Sequence, residues 1–168
     1  MKTFLTILLA STLSVAAVSC SEKPPKTVAE MTEKQLSEKL IGDWVMDDIT
    51  VEQDGVEVRM FDTTMSYKID GTSYGDGKME FMSDEMPANL GRFKIVVETN
   101  WSMESGLVRD KITGLRITPL KENAQSSQIA ALLQNQMVNA PSTTSEILAI
   151  SDNILVLESD GIKQTYRR

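Results

Sequence analysis

Cys20 is the only cysteine in the 168-residue chain, and the chain contains no histidine. A single thiol can act as a nucleophile or accept a modification, but histidine is the base that usually activates it. The lack of histidine also removes the Ser–His pair and the commonest protein ligand of zinc. The sequence therefore predicts a protein that is not an enzyme, with no catalytic residue, no cofactor and no metal site.

Two pairs of neighbouring acidic residues, Asp47 with Asp48 and Asp84 with Glu85, are candidates for the acid and base of a hydrolase. Two-carboxylate catalysis needs both groups aimed at one bond. Adjacent residues on a strand instead point to opposite faces. We therefore interpret both pairs as solvated surface acids.

Three methionines, Met79, Met82 and Met86, carry thioethers of the kind that binds monovalent copper. On a strand, Met79 and Met82 would point to opposite faces, and neither a cysteine nor a histidine completes the set. We interpret them as apolar side chains rather than as metal ligands.

The N-terminal segment has the layout of a secretory signal, with a positive charge at Lys2 followed by the uncharged run 3–19. Ala17 and Ser19, directly before Cys20, resemble the lipobox of bacterial lipoproteins. The resemblance implies that a diacylglyceryl group is attached to the Cys20 thiol, that the chain is cut before it, and that the new N-terminus is acylated. By the same resemblance, Ser21 fits sorting to the outer membrane. The alternative is an ordinary secretory signal that leaves Cys20 as a free thiol.

This interpretation divides the chain into a signal peptide (1–19), a flexible tether (20–31) and one folded domain (32–168). The tether is rich in proline and charge. We expect the domain to be anchored in the bacterial cell envelope, in the outer membrane and facing the periplasm. Removal of residues 1–19 changes the net charge from −7 to −8, because Lys2 is the one charged residue removed. A negative domain argues against nucleic acid as a partner.

Two helices are predicted. Thr32 and Gln35 form a capping box that begins a helix over 32–40, with Gly42 as a stop. A second apolar stripe, carried by Ile129, Leu132 and Leu133, predicts a helix over 126–139 that is capped by Ser126 or Ser127. This second helix either packs against the sheet as a plug or serves as a lid or docking surface.

The rest of the chain predicts eight or nine short strands in an antiparallel meander. Phe93 to Met103 alternates apolar and polar residues at period 2, which indicates a strand with one buried face. The other predicted strands are 44–51 with a bend at Asp47 and Asp48, 56–61, 65–69, 78–82, 112–118, 147–150, 154–157 and 162–166. Turns are predicted at residues 54–55, at the glycines of 71–77, at 152–153 and at 160–161.

Gly42 and Trp44 have the Gly-x-Trp form that opens the first strand of lipocalins, and the chain ends in two arginines. The domain resembles lipocalin-like lipoproteins over 40–120 and 146–168. The resemblance implies a barrel closed by an arginine, Arg167 or Arg168, stacked on Trp44. A lipocalin-like barrel is the predicted fold, and a flattened sandwich is its alternative.

Such a barrel either is filled by side chains or holds one small ligand. The residues expected to face inward and line a pocket are Met46, Met79, Phe81, Phe93, Trp101 and Met103. The same residues would also make an ordinary core. We therefore predict a lipid-anchored envelope protein that binds a small apolar molecule, the alternative being a structural or interaction protein with a filled core.

Overall fold

The computed structural model describes residues 27–53, 56–82 and 91–168 of the chain. Within these residues the protein is mainly β, with nine antiparallel strands. The strands are β1 (Gly42–Met46), β2 (Ile49–Gln53), β3 (Val56–Tyr67), β4 (Thr72–Met82), β5 (Arg92–Glu104), β6 (Leu107–Pro119), β7 (Thr143–Ile150), β8 (Ile154–Ser159) and β9 (Ile162–Arg167). Helix α1 (Glu33–Leu40) precedes the sheet, and helix α2 (Ala124–Val138) lies between β6 and β7.

The sheet closes into a barrel because β1 pairs with both β3 and β9. Eight strands form the closed ring. Strand β2 follows β1 after a short break and pairs with the first half of β3, while β1 pairs with the second half. The break between β1 and β2 falls at Asp47 and Asp48, where the sequence predicts a bend. The predicted antiparallel barrel is confirmed, and the flattened sandwich is wrong.

Strand β4 is longer than the sequence predicts, because Gly75 and Gly77 lie inside it instead of in a turn. The two predicted strands 56–61 and 65–69 are wrong as separate elements, since β3 runs through both with a bulge between them. A Cβ atom added at Gly75 would lie 2.7 Å from Val97 Cγ1, and one added at Gly77 would lie 2.5 Å from Thr63 Oγ1. Thr63 belongs to a bulge in β3, where the pairing with β4 shifts register. These two glycines therefore serve close packing within a bulged sheet.

Strands β6 and β7 begin earlier than predicted, at Leu107 and Thr143, and the remaining strand predictions agree with the structure to within about two residues. In β5 the side chains of Phe93 and Ile95 are buried while Arg92 and Lys94 are exposed, as the alternation indicates. The closing hairpin of β8 and β9 turns at Asp160 and Gly161, whose φ angles are +52° and +78°. Two successive residues with positive φ make the tight turn that suits the right-handed twist of paired strands.

Helix α1 begins as predicted, since the Gln35 amide donates to Thr32 Oγ1 and the Thr32 amide donates to the Gln35 side chain. Helix α2 begins earlier than predicted. Its cap is Asn123, whose side-chain oxygen accepts from the Ser126 amide at 2.9 Å, and neither Ser126 nor Ser127 has that role. Ser126 is the third helical residue, and its Oγ accepts a hydrogen bond from the Asn123 amide.

The buried side chains form two clusters at the two ends of the barrel. One cluster contains Trp44 and Val108 and is covered by Leu36 and Leu40 of α1. The other is built on Phe93 and is covered by α2. Since Phe93 and Met103 lie at opposite ends of β5 and belong to different clusters, the two helices cover opposite ends of the barrel.

Several predicted features lie outside the described residues: the signal segment, Cys20, the first part of the tether, the turn at 54–55, Asp84 with Glu85, and Met86. The last part of the predicted tether is described. It contains a short 3-10 helix at Val28–Glu30, and Val28 and Met31 pack against the first core cluster.

Candidate functional site

One end of the barrel is closed by a contact between the two ends of the domain. The guanidinium carbon of Arg168 lies 3.7 Å from the centre of the Trp44 ring, which is fully buried. Arg168 Nη2 also donates to the carbonyls of Lys39 at 2.8 Å and Ile41 at 2.7 Å, at the C-terminus of α1. A positive charge is favourable there because the last helical carbonyls are unpaired and the helix dipole is negative.

Gly42 makes this contact possible. Its φ angle is +127°, a conformation that residues with a Cβ atom rarely adopt, and an added Cβ would lie 3.1 Å from Arg168 Nη2. The Gly-x-Trp pattern therefore has a local explanation: Gly42 leaves space for the guanidinium that stacks on Trp44. The Trp44 indole nitrogen is satisfied separately, by the carbonyl of Leu40 at 2.8 Å.

Arg167, the other arginine considered for this contact, points elsewhere. It pairs with Asp47 at 3.0 Å on the exposed side of the barrel. The hydrogen bond from Arg167 lowers the pKa of the Asp47 carboxyl. Consecutive residues of a strand face opposite ways, so only one of the two arginines can reach Trp44.

A cavity of about 190 Å³, partly open to solvent, is lined by members of both core clusters, Met46 of the first and Ile95 of the second. It is lined mainly by apolar side chains from β1, β3 and β5, with Gln164 and Tyr166 of β9 on one side; the apolar ones are Met46, Met60, Met65, Ile95 and Val97. The stretch from Gly75 to Lys78 and the bulge residues Thr63 and Thr64 border it as well. The interior is therefore not completely filled by side chains.

The structure separates the six residues that the sequence predicts to line a pocket. Met46 lines the cavity. Met79, Phe81 and Phe93 pack together in the second cluster, where Phe93 and Phe81 meet edge to face with ring centres 6.0 Å apart. Trp101 and Met103 pack against the first cluster. All six belong to the core, but five of them are taken up by packing at the barrel ends.

Helix α2 explains why several of the predicted pocket residues pack at a barrel end instead of lining the cavity. Its Ile129, Leu133 and Met137 pack against the cluster around Phe93, while Leu132 is 58% exposed. The Gln134 side chain accepts a hydrogen bond from the Ile117 amide at 3.1 Å. That amide lies on the part of β6 beyond its pairing with β7, which ends at Asp110. The helix thus covers this end of the barrel. It also accepts a hydrogen bond from a backbone amide on the part of β6 that does not pair with β7.

A polar group inside the barrel was not anticipated from the sequence. Thr99 donates to Asp110 Oδ1 at 2.9 Å and is in turn hydrogen-bonded to Ser73. Ser73 and Thr99 are both buried. Burial raises the pKa of Asp110, and the hydrogen bond from Thr99 partly offsets this.

Two tyrosines lie near this carboxylate. Burial, reinforced by the charge of Asp110, raises the pKa of both Tyr67 and Tyr166. The Tyr166 hydroxyl donates to Gln164 Oε1 at 2.7 Å, and both of these residues border the apolar cavity. Tyr166 and Gln164 therefore give the apolar cavity a polar edge.

The inward position of Asp110 could have been recognised from its place in the alternating pattern of the strand. Asp110 is the cross-strand partner of Trp101, and it alternates with Val108, which is buried. A carboxylate in an inward position of a half-buried strand is unusual, because burying an unpaired charge is costly.

Within the described residues, no helix is both long and apolar enough to span a bilayer. The same part of the chain contains no group of three acidic, histidine or cysteine side chains arranged to hold a metal ion. Comparison of the sequence with protein-family models and with curated proteins finds no match. Fold and site together define a closed antiparallel barrel with an internal apolar cavity.

Proposed function

We propose that this protein is a lipid-anchored lipoprotein of the bacterial cell envelope whose lipocalin-like barrel binds a small apolar molecule without catalysing a reaction. The observation that carries the binding role is the apolar cavity of about 190 Å³ that members of both core clusters line. Apolar cavities of roughly 150 Å³ accept molecules such as benzene. The proposed ligand is therefore about the size of one substituted aromatic ring.

The cavity is too small for a long acyl chain, since pockets for drug-sized ligands span about 300–1,000 Å³. A non-catalytic role is supported by the lack of histidine in the whole chain. Methionines at three positions of the cavity wall, Met46, Met60 and Met65, suit an adaptable apolar site, because the flexible thioether side chain adjusts to different shapes.

Binding is tested with fluorobenzene followed by ¹⁹F NMR on the full chain. Val97→Phe fills the cavity and should abolish the bound signal. Val96→Phe is the matched control, because Val96 is the preceding residue of the same strand and borders an external groove, not the cavity. Equal binding to both variants, or no binding to the unmodified protein, would contradict a ligand-binding cavity.

The anchor rests on the lipobox resemblance around Cys20 and is tested independently of the barrel. Cys20→Ala should abolish incorporation of a labelled fatty acid and release the protein from the membrane fraction. Ser21→Asp should keep the lipid but move the protein out of the outer-membrane fraction. A mature N-terminus at any residue other than Cys20 would refute the lipoprotein assignment.

A second candidate function is that of an interaction protein of the envelope. The observation in its favour is the outer side of α2, where Leu132 is 58% exposed and Val138 is 47% exposed. Photo-crosslinking from position 132 in native membranes distinguishes the two roles. One dominant protein adduct, combined with no fluorobenzene binding, would favour the interaction role.

A further inference from the structure

Asp110 is a half-buried carboxylate inside an otherwise largely apolar barrel, and its one hydrogen bond to a described residue comes from Thr99. Among the residues that the structure describes, no cation pairs with it. Its neighbour Arg109 pairs instead with Glu104 at 3.2 Å, and Lys111 is exposed on the outer face. A carboxylate removed from water without a counter-charge is unfavourable unless another group compensates it.

Tyr67 is only 2% exposed, and its ring packs edge to face against Trp101 with the ring centres 5.7 Å apart. Its hydroxyl makes no hydrogen bond to the described part of the chain. In that same part, no fully buried side-chain nitrogen or oxygen lacks a partner. The hydroxyl must therefore border space that water can enter. Tyr67 is the cross-strand partner of Ser73, whose hydroxyl is hydrogen-bonded to Thr99, and the charge of Asp110 contributes to the raised pKa of the Tyr67 phenol.

The polar and apolar parts of the interior lie in neighbouring layers of inward-facing residues. Gly75 and Val97, which border the cavity, are cross-strand partners, and so are Ser73 and Thr99, two residues away on the same strands. A carboxylate that no cation of the described residues pairs with, and a hydroxyl that has no hydrogen-bond partner among them, can together bind an ammonium ion. The apolar cavity next to them would hold the remainder of such a molecule.

We propose that Asp110 and the Tyr67 hydroxyl bind the protonated amino group of a small amphipathic amine, whose apolar part occupies the cavity lined by Met46 and Val97. This inference rests on the proposed binding function and names its ligand class. The Thr99 hydroxyl, held by Ser73, orients the carboxylate. The amine supplies a positive charge that none of the described residues places beside Asp110.

The test measures the affinity of the full chain for 2-phenylethylamine and for its neutral counterpart of similar size, 2-phenylethanol, near neutral pH. We expect the amine to bind more tightly than the alcohol by about tenfold, as for a charge-assisted hydrogen bond. Asp110→Asn should remove this preference, while leaving the affinity for fluorobenzene unchanged. Fluorobenzene binding also shows that the variant has retained its folded cavity.

Tyr67→Phe provides a second variant that does not depend on the stability of Asp110→Asn, because the hydroxyl it removes holds no partner in the described structure. It should weaken amine binding by about threefold. Tyr74→Phe is the matched control, since Tyr74 is 39% exposed and outside the cavity, and it should have no effect.

The outcomes separate the two proposals. Fluorobenzene binding with equal affinities for amine and alcohol, unchanged by Asp110→Asn, would refute the amine site and leave the cavity function intact. No binding of fluorobenzene or of either phenylethyl compound would refute both. Amine binding that depends on Val97 but not on Asp110 or Tyr67 would also refute the site proposed here.

Discussion

Arg168 and Trp44 lie at opposite ends of the domain sequence, and the guanidinium of the first covers the ring of the second at 3.7 Å. The same guanidinium binds carbonyls at the end of α1. One side chain therefore joins the last strand, the first strand and the N-terminal helix. Loss of this contact should affect the whole barrel.

Arg168→Ala should lower the free energy of unfolding by about 2 kcal/mol, through loss of the cation–π contact and of charged hydrogen bonds. Arg167→Ala, the control, should lower it much less, because Arg167 forms an exposed ion pair with Asp47. Urea unfolding followed by tryptophan fluorescence measures both. Equal losses for the two variants would contradict a closing role that is specific to Arg168.

Gly42→Ala should destabilise the protein by about 2 kcal/mol or more, because the new Cβ is strained at φ +127° and crowds Arg168. Gly106→Ala is the control: its φ is +77°, but a Cβ there would meet nothing within 4 Å, so about 1 kcal/mol is expected. In the Arg168→Ala background, the Gly42→Ala substitution should lower the free energy of unfolding by less than it does in the unmodified protein. Strict additivity in urea unfolding would show that the two residues are not coupled.

Leu133→Ala should cost about 2 kcal/mol, because Leu133 packs against the cluster that α2 covers. Leu132→Ala, one residue away on the same helix, should change stability by less than about 0.5 kcal/mol, since Leu132 is 58% exposed. Thermal unfolding of the pair checks this. A larger loss of stability for Leu132→Ala than for Leu133→Ala would contradict the exposure of the Leu132 side chain.

Asp110 and Asp47 should give opposite pH dependences. Burial raises the pKa of Asp110, so the folded state keeps its proton to higher pH than the unfolded state does. The stability of the unmodified protein relative to Asp110→Asn should therefore fall as the pH rises above the ordinary value of 3.8.

The pKa of Asp47 is lowered by Arg167, so its contribution is present above the ordinary carboxyl pKa and is lost as the pH falls through the lowered value. Stability relative to Asp47→Asn should accordingly rise with pH over that lower range. Urea unfolding at several pH values measures both differences. A difference for Asp110→Asn that rises with pH would contradict the burial of its carboxylate.

Local patterns predicted most of the strands because their causes are local. The alternation from Phe93 to Met103 reflects a strand with one face in the core, and the pair Asp160 and Gly161 reflects the positive φ angles of a tight turn. Gly75 and Gly77 were misinterpreted because a glycine that permits close packing cannot be distinguished in sequence from one that permits a turn. Which side chains lie against them depends on strand pairing.

The candidate site was only partly predictable. Met46 is among the six residues expected to face inward, whereas Asp110 lies outside the predicted strand 112–118 and was missed although its side chain also points inward. Parity shows which face a side chain occupies but not whether the space in front of it is filled. Here α2 covers the end around Phe93, and open space remains near Met46.

The sequence by itself determined the class of fold, since period-2 alternation and turn residues act between neighbours in the chain. It also determined the two arginines that could meet Trp44, but not which one does. The tertiary structure decided that Arg168 makes this contact, that the sheet closes through β1, and that a cavity lies in the layer next to the buried pair Ser73 and Thr99. These features depend on how distant strands and helices pack against each other, which local patterns do not specify.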